Sequence, residues 1–192
     1  MEASRKLFAA AGASDIEGLN LSWADLARAQ IARADIIWMS GGLQGRLADA
    51  LGQAGLAPDI HRRFAAGRGI IAGTRADESI MSDIMIETSR RDSAVTRHPV
   101  LSRWLKLWPD AIIDQHFSRR GRLQRLTCAI EWYPHLTSIG IDEDTELIRF
   151  GNGTTRVIGT DSVTILRALR LEANPVTIEE TRLRRGQTDA PR

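Results

Sequence analysis

Short apolar runs alternate along this chain with segments whose apolar residues recur every three or four positions, a pattern that predicts an α/β fold. Ala3 to Ala11 has helical spacing, with Gly12 as the stop. Ile16 to Leu21 reads as a short strand. Ser22 reads as the N-cap of a helix through Arg33, with Trp23, Leu26, Ala27, Gln30 and Ile31 at helical spacing. Ile36 to Met39 is a compact apolar run ending in Ser40-Gly41-Gly42, as expected of a buried parallel strand entering a tight turn. A helix is expected from Leu47, broken near Gly55 and Pro58, and another over Ile60 to Ala66. Gly69 to Gly73 repeats the strand-then-turn pattern. Ala111-Ile112-Ile113 is a strand running straight into Asp114-Gln115-His116, and Leu123 to Glu131 is helical. From Ser138 to Leu166 apolar and polar residues alternate around Gly151-Asn152-Gly153, a hairpin signature. Arg182 to Arg192 is polar and basic, and is expected to be a flexible tail.

This pattern places a single domain over residues 1–181, a sandwich with a mainly parallel sheet and an antiparallel appendage. In parallel sheets, sites form at the C-terminal ends of strands. Gly41 to Gln44, Gly73 to Glu78 and Asp114 to His116 each follow such an end, so three distant segments can converge.

The composition narrows the class. The chain has 192 residues, 43% of them apolar and 26% charged, as in ordinary globular domains large enough to bury a core. A net charge of +2 argues against a general nucleic-acid footprint. Cys128 is the only cysteine, so no intrachain disulfide exists, and a reducing cytoplasm is the expected compartment. No apolar run is long enough for a membrane span, and the first residues lack a signal-peptide layout. His61, His98 and His135 are scattered without metal-ligand spacing, and neither Gly41-Gly42 nor Gly73 is followed by the Lys-Ser pair of a phosphate loop. No metal or cofactor is expected.

The chemistry is concentrated in Asp114-Gln115-His116-Phe117, the arginines Arg120, Arg122 and Arg125, and Ile141-Asp142-Glu143. Guanidinium groups grip carboxylates bidentately, and an acid such as Asp114 can meet a substrate guanidinium or amine. A histidine beside a carboxylate can move protons. The same residues also have plain readings. A histidine after a strand is commonly structural, four arginines cannot all share one helix face, and Asp142-Glu143-Asp144 alone suggests an exposed acidic turn.

Taken in order, these segments resemble the cyanophycinase and peptidase E-type serine peptidases, whose fold is similar to that of class I glutamine amidotransferases. Gly41-Gly42-Leu43-Gln44 stands for a Gly-Gly-Asp-Gln turn and Gly73-Thr74-Arg75-Ala76 for Gly-Thr-Ser-Ala, followed by Met81-Ser82-Asp83. Asp114 to Phe117, the arginines and Gly140-Ile141-Asp142-Glu143 complete the set, which runs from about Phe8 to Ile165. The Asp-Gln-His-Phe form favours the cyanophycinase branch. The resemblance implies a serine nucleophile at position 75, His116 as its base and Glu143 as the group orienting that base. It also implies that Gln44, Asp114, Arg120, Arg122 and Arg125 shape a pocket for β-aspartyl-arginine peptides.

Two residues depart from that pattern at the nucleophile. Arg75 replaces the serine, and a guanidinium is protonated at any physiological pH, so it cannot attack a carbonyl. Asp77 replaces a glycine where a strand-to-helix elbow needs a small side chain. Ser79 lies about a helical turn further on and is a poor substitute. Arg75 is expected to pair with one of Asp77, Glu78, Asp114 or Glu143, since arginines crowd the same pocket. Leu43 replaces an acid. Relative to the family, two strands and a helix would precede Met1, which implies an open sheet edge.

Three readings follow. The chain is an impaired cyanophycinase-like homologue that binds peptides or small acidic or arginine-bearing ligands. Alternatively, it is a hydrolase with altered chemistry, using Asp77 or Glu78 with His116. In the third reading it is a non-catalytic subunit that pairs with itself or an intact homologue through the open edge.

Overall fold

The computed structural model describes residues 2–40, 42, 44–67, 69–91, 97–169 and 176–190; at 44, 75–77, 89–91 and 97 it describes the backbone only. The chain is described as two compact units, Met1–Asp77 and Glu78–Arg192.

The first unit runs α1 Glu2–Ala10, α2 Ala24–Arg33, β1 Ile36–Met39, α3 Gln44–Gln53, α4 Ala57–Ala65 and β2 Ile70–Gly73. The apolar run of β1 pairs in parallel with β2, from Ile36 opposite Ile70 to Met39 opposite Gly73. Ala27 and Ile31 of α2, Leu51 of α3 and Ile60 of α4 are buried, each on the apolar stripe of its helix. Gly12, at φ +95°, ends α1 as expected.

Two expectations fail here. Ile16 to Leu21 is not a strand, because the segment has no period of two and Glu17 instead holds α2, accepting from Gln30 Nε2 and the Arg33 guanidinium. Those two partners hold the Glu17 carboxyl below its usual range. Ser22 is not the N-cap. Trp23 holds that position without a side-chain bond, and the Ser22 N–H donates to Asn20 Oδ1 at 3.1 Å.

After β2 the chain makes a 3₁₀ turn over Arg75–Met81 and enters a mixed sheet. Its strands are β3 Ser82–Arg91, β4 Arg97–Arg103, β5 Trp108–Gln115, β6 Thr137–Ile141, β9 Ser162–Ala168 and β10 Ile178–Arg184, in the order β10-β9-β6-β5-β3-β4. The central strands β3, β5 and β6 are parallel; β4 and β9 flank them antiparallel, and β10 pairs antiparallel with β9 at the edge. A second sheet of β7 Thr145–Arg149, β8 Thr155–Gly159 and β11 Thr188–Asp189 contains the hairpin that Gly151-Asn152-Gly153 signalled.

Alternation along the central strands gives each face its own core. Ile84, Ile86 and Ile112 point to one face and pack with Phe117, Leu136, Leu166 and, from α5 Leu123–Trp132, Leu126 and Ala129. Ala111, Ile113, Ile139, Ile141, Val163 and Ile165 point to the other, where Val157 of β8 and Leu147 of β7 join them. The expected tail is structured as far as the described residues extend. Residues 178–184 pair with β9, Leu183 is buried in the second core, and Asp189 binds the Arg167 guanidinium.

Candidate functional site

The ends of β5 and β6 carry the residues that the sequence singled out in the second unit. β5 runs Ala111-Ile112-Ile113-Asp114-Gln115, so Ile112 and Asp114 share the face covered by α5. Asp114 is only 2% exposed. A buried carboxylate needs partners, and α5 and the turn before it supply them. Arg122 Nη1 donates to Asp114 Oδ1 at 3.0 Å, Arg125 Nε donates to Oδ2 at 2.6 Å, and Arg125 Nη2 also reaches Oδ1. Arg122 caps the strand end as well, donating to the carbonyl oxygen of Gln115. Burial lowers the Arg122 pKa; Asp114 opposes that shift, while Arg125 and Arg120 add to it. The acid proposed to meet a ligand therefore has both oxygens occupied by protein guanidinium groups. Arg120 is different: it is exposed, its N–H donates to the His116 carbonyl at 3.3 Å, and its side chain makes no ion pair among the described residues.

One residue past β5, His116 has φ +51°. Left-handed backbone at a non-glycine costs about 1–3 kcal/mol and persists only where surrounding contacts enforce it. Several do. Phe117 N–H donates to the Ile141 carbonyl at 3.2 Å, and the Phe117 ring lies against Gly140, where any Cβ would overlap it. Glycine at 140 is thus required by a close approach rather than by its dihedral angles.

His116 Nδ1 lies 2.9 Å from Glu143 Oε1, with the two side chains 23% and 24% exposed. A carboxylate can only accept, so Nδ1 carries the proton in this pair and the neutral ring keeps Nε2 as an acceptor. The turn holding Glu143 is pinned from several sides. Thr145 Oγ1 donates to the Glu143 carbonyl at 3.0 Å, and Thr160 N–H donates to the Asp144 carbonyl at 2.9 Å. Gly159, at φ +105°, has the Asp144 backbone packed where a side chain would stand.

Sequence reasoning missed Asp142, which reads as part of an exposed acidic turn but is 5% exposed. Its Oδ1 accepts from the Ser118 N–H at 2.8 Å and its Oδ2 from Ser162 Oγ at 2.7 Å. Burial would raise its pKa, but the bonds from Ser162 and Ser118, aided by Arg182, hold it below the usual carboxylate value. The alternation Gly140, Asp142 along the α5 face is the signal that could have found it.

Gln44 and Arg75 belong to the first unit, and their side chains, with that of Asp77, lie outside the described residues, as do Gly41 and Leu43. The expected pairing of Arg75 with an acid therefore lies outside them too. Arg75 starts a 3₁₀ turn, not the α-helix that the elbow implied, and Ser79 within that turn is buried. Among the described residues no group of three or more His, Cys, Asp or Glu side chains could hold a metal ion, and no helix is long and apolar enough to cross a membrane.

Comparison with known proteins fits this frame. Residues 1–158 match the model of peptidase family S51. The chain is 38% identical over 139 residues to the cyanophycinase of Synechococcus elongatus, covering 72% of this chain and 43% of that protein. It is 31% identical to the cyanophycinase of Trichormus variabilis over a 193-position alignment, covering 93% of this chain and 65% of that one. It therefore spans about half the length of the curated relatives it matches. Among solved structures, a peptidase from an acI-B1 Actinobacterium superposes with a TM-score of 0.63 at 23% identity, over 89% of this chain and 64% of that one, a likeness of fold. With its α/β fold and the greater part of its sequence matched, the chain belongs to peptidase family S51 and is cyanophycinase-like within it.

Proposed function

We propose that this chain is a cyanophycinase-like serine-peptidase homologue that keeps the proton-handling pair of the family reaction and has lost its nucleophile. The observation that carries the reading is the His116 Nδ1 to Glu143 Oε1 bond of 2.9 Å, which leaves Nε2 free to take a proton from an attacking hydroxyl. The resemblance puts that hydroxyl at position 75, where this chain has arginine. Where a triad nucleophile is removed, turnover falls roughly 10⁶-fold, so β-aspartyl-arginine hydrolysis is effectively absent. Binding need not be. Arg120 is exposed beside His116 and offers a guanidinium to a carboxylate-bearing peptide.

Calorimetric titration with a β-aspartyl-arginine dipeptide, run beside a chromatographic assay for free arginine, tests this reading. Binding that Arg120→Ala weakens, without hydrolysis, is expected. Hydrolysis that disappears in His116→Ala overturns the loss of the nucleophile, and absence of binding at millimolar peptide overturns the retained ligand site.

A further inference from the structure

We propose that Asp142 is the positioning residue of this site: it fixes the His116 loop to the sheet, so that His116 keeps its left-handed backbone and presents Nδ1 to Glu143. The proposal deepens the reading of His116 and Glu143 as the proton-handling pair, and rests on that reading for its catalytic meaning. The geometry itself is independent of it. The loop leaves β5 at His116 and must turn back within six residues to reach Arg122, whose guanidinium is anchored on Asp114. At the far end of the loop that anchor is joined by the Arg122 N–H, which donates to the Phe117 carbonyl at 3.1 Å. At the near end three ties act on consecutive residues: the His116 ring on Glu143, the Phe117 N–H on Ile141, and the Ser118 N–H on Asp142.

Asp142 is the buried carboxylate of this set, and it reaches a third element as well. One oxygen holds Ser118 of the loop, while the other holds Ser162 at the start of β9, the strand paired with β6. The Asp142 N–H also donates to the Ser162 carbonyl at 3.2 Å. Through these bonds the loop carrying His116 is registered against the same strands that fix the turn carrying Glu143. A charged acceptor to a backbone N–H is among the stronger hydrogen bonds, and burial removes the water that would otherwise compete for it. Glu143 touches the ring directly; Asp142 acts through Ser118.

The test is the tautomer of His116, read from the ring nitrogen shifts in ¹⁵N-labelled protein at a pH where the ring is neutral, with exchange protection of the Ser118 amide as a second readout. Wild-type protein is expected to show the Nδ1–H form, with a protected Ser118 amide. Asp142→Ala should move the ring toward the mixture of tautomers seen in free imidazole and speed exchange of the amide by about tenfold or more, as loss of a strong hydrogen bond implies. Asp142→Asn, whose amide oxygen can still accept from Ser118, should keep both signals. Because Asp142→Ala strands the Ser162 hydroxyl, the double variant Asp142→Ala with Ser162→Ala removes both buried partners and gives the same expectation in a more foldable chain. A wild-type tautomer in Asp142→Ala and in the double variant overturns the proposal. So does a shift in Asp142→Asn as large as in the alanine variant. No step needs turnover, so a chain that fails to bind peptide can still show the Asp142 effect, and the two readings fail separately.

Discussion

Two carboxylates sit at neighbouring strand ends in this protein and are treated in opposite ways. Asp114, on β5, is 2% exposed and satisfied by two arginines and a backbone N–H. Glu143, just past β6, is 24% exposed and holds a histidine at 2.9 Å. Both oxygens of the first are held by protein donors, and the loop from His116 to Arg122 is anchored on it. The second is partly exposed, as is its histidine, and sits on a turn pinned by Thr145, Thr160 and Gly159. Proximity to a strand end in a sheet of this kind therefore does not make an acid a ligand group; saturation by protein donors decides. The arginines divide the same way, with Arg122 and Arg125 committed inward and Arg120 left facing out.

The largest effect is expected at Asp114. Asp114→Ala leaves two guanidinium groups largely buried without a counter-charge, and breaking a buried pair costs about 3–5 kcal/mol. Urea unfolding should show a loss of that order. A loss near that of a surface mutation would mean that the anchor is not one. Next in size is Gly140→Ala, which forces the Phe117 ring off β6; overpacking of a filled site costs about 1–3 kcal/mol. Phe117→Leu in the same chain should recover part of the loss, measured as a coupling in a double-mutant cycle.

Acid acts on Asp142. Its folded-state pKa is lowered, so its contribution is complete above the unfolded value, about pH 4, and is lost as pH falls through the folded value. The stability difference between wild type and Asp142→Asn should be flat at neutral pH and shift against wild type below about pH 4. A difference that changed only above about pH 6 would assign the titration to another group. The smallest effect belongs to Glu143. A partly exposed pair contributes about 0–1 kcal/mol, so Glu143→Gln should leave thermal stability nearly intact while the His116 ring loses its fixed tautomer.

Much of the second unit is legible in the amino-acid sequence, and the limits of that legibility have physical causes. Ile112 to His116 stands out because a buried strand must be apolar and a polar break at its C-terminal end is conspicuous. The His116 to Glu143 spacing becomes meaningful only through the family resemblance, since no local rule links residues on neighbouring strands. β3 and β4 escape a pattern reading: only Ile84, Met85 and Ile86 are a compact apolar run, and the strand then continues through polar residues that a helix or loop would carry equally well. β10 is hidden among arginines because an edge strand needs few buried positions, here chiefly Leu183. Asp142 is masked by its acidic neighbours, whose exposure it does not share.

Retention of the proton-handling pair together with loss of the nucleophile is the proposal on which the functional reading rests. Intact-mass spectrometry after incubation with a serine-directed phosphonofluoridate tests it most directly. An unchanged mass is expected, because a guanidinium at position 75 cannot be phosphonylated and Ser79 is buried. A single adduct mapped to Ser79, and abolished by His116→Ala, would contradict it and would mean that this chain carries a working nucleophile one turn beyond the family's position.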